Sequence, residues 1–281
     1  MTSKNQAAKA EAFRAMHRQP RLLLLPNAWD VASARIFEEA AIAAIATTSA
    51  GVAFSLGYPD GQKISCDEML AAVERIASRV KIPVSADVEA GYGDRPEDAA
   101  QTAAGVIEAG AVGLNLEDGT EDPEHALADL SLQLEKIAAV RETAQRLRVP
   151  LVLNARTDTY LLEIGAPERR YEETVRRLLA FRDAGADCLF APGVRDPALI
   201  GRLVRDLNHP LNILAGPGSP SIPELQAMGV ARVSLGSSAM RATLGLAGRI
   251  VEELRSSGTY RNLEGAPSHA AVNRMLADSP S

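Results

Sequence analysis

Residues 108–116 read EAGAVGLNL, where the end of a helix-forming stretch meets an apolar run across a glycine. The same arrangement returns as DAGADCLF at residues 183–190 and, with Met-Gly in place of Ala-Gly, as AMGVARVSL at residues 227–235. Glycine commonly ends a helix, and a nearly continuous apolar run is typical of a strand buried on both faces. The repeated unit therefore indicates helices that alternate with buried parallel strands.

Eight apolar runs of this kind occur along the chain. They begin at Arg21, Ala41, Ile82, Ala111, Pro150, Asp187, Leu211 and Ala231. Eight strands with helical crossovers predict an α/β fold of the (β/α)8 TIM-barrel type, and a doubly wound open sheet is the alternative. We expect residues 1–281 to form a single barrel domain with an N-terminal helix and, from about residue 239, a C-terminal extension that holds the last barrel helix and one extra helix.

The composition argues against several classes of function. Thirty Lys and Arg against 36 Asp and Glu give a net charge of -6, so we expect no surface that binds nucleic acid or an anionic membrane. The two cysteines, Cys66 and Cys188, are too few for a disulfide framework and lack the spacing of a zinc site. No apolar stretch approaches the ~20 residues that span a bilayer. We expect a soluble, cytoplasmic protein.

The positions of the lysines and histidines argue against two further kinds of site, a Schiff-base lysine and a helical zinc site. None of the five lysines lies inside an apolar run, where a Schiff-base lysine would be expected. No two of the four histidines have the i, i+4 spacing that binds zinc from one helix face. Catalysis is therefore expected to depend on carboxylates, arginine, asparagine and hydroxyl groups.

Acidic residues end two neighbouring apolar runs, at the positions where barrels carry their active sites. Asp87 and Glu89 stand two residues apart at the end of the third run, and Glu117 ends the fourth. We expect these three carboxylates to converge, with Asp87 and Glu89 on one face of a strand. A set of oxygen ligands selects a hard ion, Mg2+ or alternatively Mn2+. The competing interpretation is that each acid caps the following helix.

Strand five adds an amide and a guanidinium beside these acids, and the guanidinium of an arginine can bind a carboxylate through two hydrogen bonds. A small-residue turn, TSAG at residues 48–51, follows the second run, and its backbone N–H groups could bind a second carboxylate or an oxyanion. Asp60, in the GYPDG loop, is a further candidate for the same site, or only part of a turn. The predicted substrate-binding residues are Thr48, Ser49, Ala50, Gly51, Asn154 and Arg156.

The strings PNAWD, TTSAG, GYPDG, ADVEAGYGD, GLNLED and NARTD follow one another in this order, and ADVEAGYG and NARTD are the specific ones. With them the chain resembles the isocitrate lyase/phosphoenolpyruvate mutase superfamily, from about residue 22 to about residue 236. The resemblance implies a (β/α)8 barrel that binds Mg2+ and a small 2-oxo acid or its enolate. It also implies a homo-oligomer, a tetramer or a dimer, whose extra C-terminal helix is swapped between neighbouring barrels.

The resemblance also implies roles for individual residues. Asp87, Glu89 and Glu117 correspond to the acids of the metal site, with several contacts through water, and Asp60 to an acid near the metal. Arg156 corresponds to the arginine that binds the substrate carboxylate. Residues 49–51 correspond to the turn that receives the oxo acid.

The loop after strand four departs from the family pattern. Members that cleave isocitrate or methylisocitrate carry Lys-(Lys/Arg)-Cys-Gly-His there, and phosphonate-processing members carry a lysine and an asparagine. This chain reads EDGTEDPEHALADLSLQLEK at residues 117–136, with no cysteine and with lysine only as the last residue. His125 is the conspicuous base of this loop, unless it is simply a solvated loop residue. With Asp60 and Tyr58 it is a candidate for proton transfer, and the predicted catalytic residues are Asp60, Arg156 and His125.

These features predict a Mg2+-dependent carbon–carbon lyase that acts on a small 2-oxo acid through an enolate. Decarboxylation of an oxaloacetate-like acid is included, because water or a nearby group can protonate the enolate. Phosphonopyruvate/phosphoenolpyruvate-type P–C chemistry is an alternative, as is a non-catalytic 2-oxo-acid-binding protein. A phosphosugar barrel is a third, from the glycine-rich strings LAGPGS at residues 214–219 and SLGSS at residues 234–238.

Overall fold

The computed structural model describes residues 4–120, 122 and 124–277, and within them nine parallel strands form a nearly closed barrel surrounded by helices. The strands are β1 Leu23–Leu25, β2 Asn27–Ala28, β3 Ile45–Thr47, β4 Val84–Asp87, β5 Gly113–Glu117, β6 Val152–Arg156, β7 Cys188–Phe190, β8 Leu211–Leu214 and β9 Arg232–Ser234. The helices are α1 Lys4–Met16, α2 Val31–Glu39, α3 Ser49–Leu56, α4 Cys66–Ala77, α5 Pro96–Glu108, α6 Leu130–Arg146, α7 Pro167–Asp183, α8 Pro197–Leu207, α9 Ile222–Ala227, α10 Ser238–Ser256 and α11 His269–Ala277. The predicted TIM-barrel fold is confirmed.

The first apolar run closes the barrel by pairing with both of its neighbours. Leu23 of β1 lies beside Arg232 of β9, and Asn27 of β2 lies beside Ala46 of β3. Pro26 separates the two short strands because it has no N–H to donate to a ladder. Eight predicted runs therefore become nine strands.

Helix α1 covers the amino ends of the barrel strands, opposite the expected site. Its Phe13 is fully buried against Gly113, where an added Cβ would lie 2.8 Å from Cε1 of Phe13. The guanidinium of Arg14 donates to the carbonyl oxygen of Leu151, just before β6. The predicted N-terminal helix thus closes the bottom of the barrel.

The C-terminal region holds helix α10, which follows the last strand, and then helix α11. Helix α10 has Met240 as its buried residue and leaves Val251 and Leu254 about half exposed, at 55% and 46%. Helix α11 lies against α2, where Nε of Arg35 donates to the carbonyl oxygen of Met275 at 3.1 Å. The exchange of this extension between subunits stays a prediction. Among the described helices, none has the length and hydropathy needed to cross a membrane.

Candidate active site

A cavity of about 210 Å3 opens where the barrel strands end in acidic and basic side chains. Five of the residues singled out in the sequence line this cavity, namely Ser49, Asp60, Glu89, Glu117 and Arg156. The lining residues are Ser49, Asp60, Gly61, Gln62, Glu89, Glu117, Gly119, Thr120, Arg156, Asp158, Leu161 and Leu162. The carboxyl ends of the strands thus meet as predicted.

Asp87 ends β4 next to this cavity and is held by the start of α3. The backbone N–H and the hydroxyl of Ser49 both donate to its Oδ2 at 2.9 Å, and Nδ2 of Asn115 donates to its Oδ1 at 3.3 Å. The backbone N–H of Asp87 in turn donates to Oγ1 of Thr47. The positive end of the α3 dipole further stabilises this carboxylate.

The TSAG turn therefore has a different role from the one predicted. Thr48 is the N-cap of α3 and accepts from the N–H of Gly51 at 3.3 Å, and Ala50 lies buried in the first turn of the helix. Ser49 lines the cavity, but its two donors are already bound to Asp87. These donors orient a protein carboxylate, so the geometry gives no support to the turn as an open oxyanion site.

Glu89 reaches the cavity by a route that strand alternation did not predict. Strand β4 ends at Asp87, and Glu89 has a left-handed backbone with φ 52°, a conformation that costs about 1 kcal/mol or more for a non-glycine residue. Its carboxylate accepts from the N–H of Gln62 at 2.6 Å. Burial, then repulsion by Asp87 and Asp60, raises the pKa of Glu89 to about 7.

Arg156 is the cation of the cavity and is held by two carboxylates. Its Nη1 lies 2.6 Å from Oε2 of Glu117, while its Nε and Nη2 contact the two oxygens of Asp158 at 2.6 and 2.9 Å. Three of its five N–H groups are thus engaged, and two stay available for a ligand. Burial lowers the pKa of Arg156, but the charges of Glu117 and Asp158 outweigh this and raise it.

Negative charge exceeds positive charge in this cavity. Burial raises the pKa of Glu117 well above its usual value although Arg156 opposes the change, and partial burial with repulsion by Asp87 raises the pKa of Asp60. Burial is the first cause of both shifts, and the neighbouring carboxylates add to it. A further cation would relieve this repulsion.

The acids share one edge of the barrel, but they do not form a direct chelating cluster. Across the described ranges, no three His, Cys, Asp or Glu side chains lie close enough together to hold a metal ion. Asp87 stands beside Asn115, and Glu117 lies two residues further along β5, roughly 7 Å away along the strand. An all-oxygen donor set spread in this way fits a hydrated hard ion such as Mg2+, which keeps several of its waters.

Two predicted site residues lie apart from the cavity. The His125 side chain is 77% exposed and lies 3.0 Å from a carboxylate oxygen of Asp122. Asn154 is fully buried and donates to Oδ1 of Asn115 at 2.7 Å, so it supports the residue that contacts Asp87. Their predicted roles, in catalysis and in substrate binding, gain no support from this geometry.

Three charged residues, one in the cavity wall and two behind it, received no role from the sequence. Asp158 fixes Arg156, and its own N–H donates to Oδ1 of Asp118 at 2.9 Å. Arg177 donates in turn to Oδ2 of Asp118 at 3.1 Å. Both aspartates follow apolar runs, as the other site acids do, but their pairing joins residues 40 positions apart.

Arg232 is a buried cation inside the barrel, and the sequence pattern did not predict its role there. It is fully buried, its Nη2 lies 3.4 Å from Oδ1 of Asn115, and its Nε and Nη1 have no hydrogen-bond partner among the described residues. Burial lowers its pKa to about 10. A charge inside the apolar run ARVSLGSS, from residue 231, was the available signal.

Comparison with known proteins identifies the family. Residues 13–255 match the family model described as phosphoenolpyruvate phosphomutase. The chain belongs to this family. The resemblance drawn from the sequence strings is thereby confirmed.

Curated relatives of this family member include an uncharacterized protein and a decarboxylase. An uncharacterized protein of Mycobacterium tuberculosis is 38% identical over 227 residues, which cover 80% of this chain and 82% of that one. An oxaloacetate decarboxylase of Pseudomonas paraeruginosa is 28% identical over 239 residues, which cover 83% and 80%.

Solved structures of the family share the fold closely. A Burkholderia cenocepacia protein provisionally assigned as a lyase or mutase has a TM-score of 0.92 and 40% identity, over 98% of both chains. Phosphonopyruvate hydrolase in complex with oxalate and Mg2+ has a TM-score of 0.84 and 26% identity, over 96% of this chain and 95% of that one.

Replacing either of the two buried arginines, Arg232 or Arg177, by an uncharged residue should have different effects on the free energy of unfolding. We expect Arg232→Met to leave the free energy of unfolding unchanged or to raise it by about 1–4 kcal/mol, because it removes a charge that lacks good partners. Arg177→Met, the matched control, should lower it by about 3–5 kcal/mol, because it strands the buried Asp118. Urea unfolding measures both. Equal losses in the two variants would contradict this account.

Proposed function

We propose that this family member is a Mg2+-dependent lyase that breaks a bond next to the keto group of a small 2-oxo acid and releases an enolate. The observation that carries the proposal is the excess of buried carboxylates over the single guanidinium in the cavity. The oxaloacetate decarboxylase among the relatives favours the same reaction class. The structure of phosphonopyruvate hydrolase with oxalate and Mg2+ favours the same metal and ligand type.

Asp87, Glu89 and Glu117 are the residues that would hold the ion, with water between it and some of the carboxylates. When bound, Mg2+ supplies positive charge that lowers the energy of the developing enolate. It also favours the ionised forms of Glu89 and Glu117, two of the acids that would hold it. Mn2+ has the same ligand preferences and is expected to replace Mg2+.

Arg156 and Asp60 perform the remaining steps in this proposal. The two uncommitted N–H groups of Arg156 bind the substrate carboxylate, and Asp158 keeps the guanidinium plane fixed during turnover. Asp60 lies at the rim of the cavity with a raised pKa, so it can hold a proton and pass it to the enolate carbon. Water can also supply this proton, so decarboxylation requires no further side chain as a proton donor.

The alternatives have weaker support. P–C bond chemistry is favoured by the fold similarity to phosphonopyruvate hydrolase, but the loop at residues 117–136 lacks the lysine and asparagine of phosphonate-processing members. A non-catalytic binder would keep the cavity without turnover. The phosphosugar alternative is disfavoured, because the two glycine-rich strings lie outside the cavity lining.

Turnover of oxaloacetate tests the proposed reaction. With Mg2+, wild-type protein should release pyruvate above the spontaneous rate, and Asp87→Asn should lower kcat by about 100–1000-fold with an unchanged Tm, because a carboxylate near the ion is lost. Asp183→Asn, on the exposed end of α7, is the matched control and should keep full activity.

Phosphonopyruvate is assayed beside oxaloacetate, with phosphate release as its readout. Turnover of phosphonopyruvate alone would favour the P–C alternative. Binding of 2-oxo acids with no turnover across the panel would favour the binder and contradict the lyase.

We propose in addition that the exposed apolar face of α10 packs against a second copy of this chain, in a dimer or tetramer. Val251 and Leu254 supply the contact in this proposal. Light scattering should show an oligomer for the wild type and a monomer for Val251→Arg and Leu254→Arg. Glu252→Arg, on the same helix, should keep the oligomer. A monomeric wild type would contradict the proposal.

A further inference from the structure

A second cavity of about 600 Å3 adjoins the candidate active site. The two cavities share four wall residues, which are Gln62, Glu117, Gly119 and Thr120. Gln62 links them directly, because its N–H donates to Glu89 on one side and its Oε1 accepts from the N–H of Tyr92 on the other. We call this second cavity the side chamber.

The side chamber contains buried polar groups that the protein leaves without partners. Gln133, in the first turn of α6, is fully buried, and neither its Nε2 nor its Oε1 has a hydrogen-bond partner within the described part of the chain. The hydroxyl of Tyr92, on the loop after β4, is buried and unpartnered in the same way. A buried polar group without a partner is unfavourable, so a ligand that hydrogen-bonds to it binds more tightly than one that does not.

The unpartnered donors and acceptors of Gln133 and Tyr92 are uncharged. Burial, then the negative charge of Glu89, raises the pKa of Tyr92, so its hydroxyl stays neutral. Lys136, the one cation among the described wall residues of the chamber, already donates to the carbonyl oxygens of Ala90 at 3.2 Å and Gly93 at 2.7 Å.

Negative charge surrounds these uncharged groups. Asp94 and Asp122 lie exposed at the edge of the chamber, and Glu117 lies between the two cavities. A second carboxylate would be repelled by these acids, whereas a hydroxyl or a carboxamide can both donate to and accept from Gln133.

We propose that the side chamber binds an uncharged hydrogen-bonding group at the far end of the substrate. The substrate is then a 2-oxo acid longer than oxaloacetate, whose chain carries a hydroxyl or a carboxamide that pairs with Gln133 and Tyr92. The inference rests on the proposed function, because it takes the first cavity as the site of the 2-oxo acid group. The inference specifies the chemical group at the far end of the substrate, which lies outside the first cavity.

Calorimetry in the presence of Mg2+ tests this inference by comparing the affinities of 2-oxo acids that differ in their tails. The probes are pyruvate, 2-oxopentanoate with an apolar tail, 2-oxoglutarate with an anionic tail, and 2-oxoglutaramate with a carboxamide tail, together with the one-carbon-longer homologue of the carboxamide. We expect one of the two carboxamides to bind wild-type protein at least about tenfold more tightly than 2-oxopentanoate and 2-oxoglutarate.

Variants separate a ligand contact from a structural role. Gln133→Leu should remove the preference for the carboxamide and keep the affinity for pyruvate, with a Tm equal to or above that of the wild type. Tyr92→Phe should weaken the same preference and serves if Gln133→Leu does not fold. Gln145→Leu, at an exposed position of the same helix, is the matched control and should change nothing.

The outcomes distinguish this inference from the proposed function. Equal binding of all tails beside measurable binding of pyruvate would overturn the side-chamber assignment and leave a water-filled cavity. A preference for 2-oxoglutarate would also overturn it. Failure of every 2-oxo acid to bind with Mg2+ would instead overturn the proposed function itself.

Discussion

Repulsion among buried carboxylates at the carboxyl ends of the strands is the constraint on which the rest of this structure depends. Burial first, and then the neighbouring carboxylates, raise the pKa values of Glu89 and Glu117, which share a cavity with Asp158 and the guanidinium of Arg156. The protein compensates locally, by placing the start of α3 against Asp87 and the N–H of Gln62 against Glu89. These neutral donors orient the acids without cancelling their charge, which is the charge that the proposed Mg2+ would balance.

The network behind the cavity shows how the fold holds this geometry. Asn154 fixes Asn115, which contacts Asp87, and Arg177 fixes Asp118, which contacts Asp158. One chain begins at Asn154 on β6 and the other at Arg177 on α7, and each ends at a cavity residue or its neighbour. Side chains fixed in this way lose little freedom when a ligand binds, which favours catalysis by positioning.

The sequence predicted the barrel and the cavity acids because both follow from strand ends. In parallel strands these ends share one edge, so Glu117 and Arg156 had to meet as soon as β5 and β6 were assigned. The break at Pro26, the left-handed turn at Glu89 and the burial of Gln133 were missed. The last two depend on contacts between residues far apart in the chain, which periodicity does not record, whereas the break at Pro26 follows from the missing N–H of proline. The substrate-binding role of the TSAG turn stays a prediction, and the two donors of Ser49 bind Asp87, a carboxylate from another strand.

The most direct test of the central claim is the binding of Mn2+ in place of Mg2+, followed by electron paramagnetic resonance with and without oxalate. The account predicts one bound Mn2+ per chain, tighter binding in the presence of oxalate, and at least about tenfold weaker binding in Glu117→Gln, because one acid of the site becomes neutral. Absence of saturable Mn2+ binding at millimolar concentration, or equal affinity in Glu117→Gln, would contradict it.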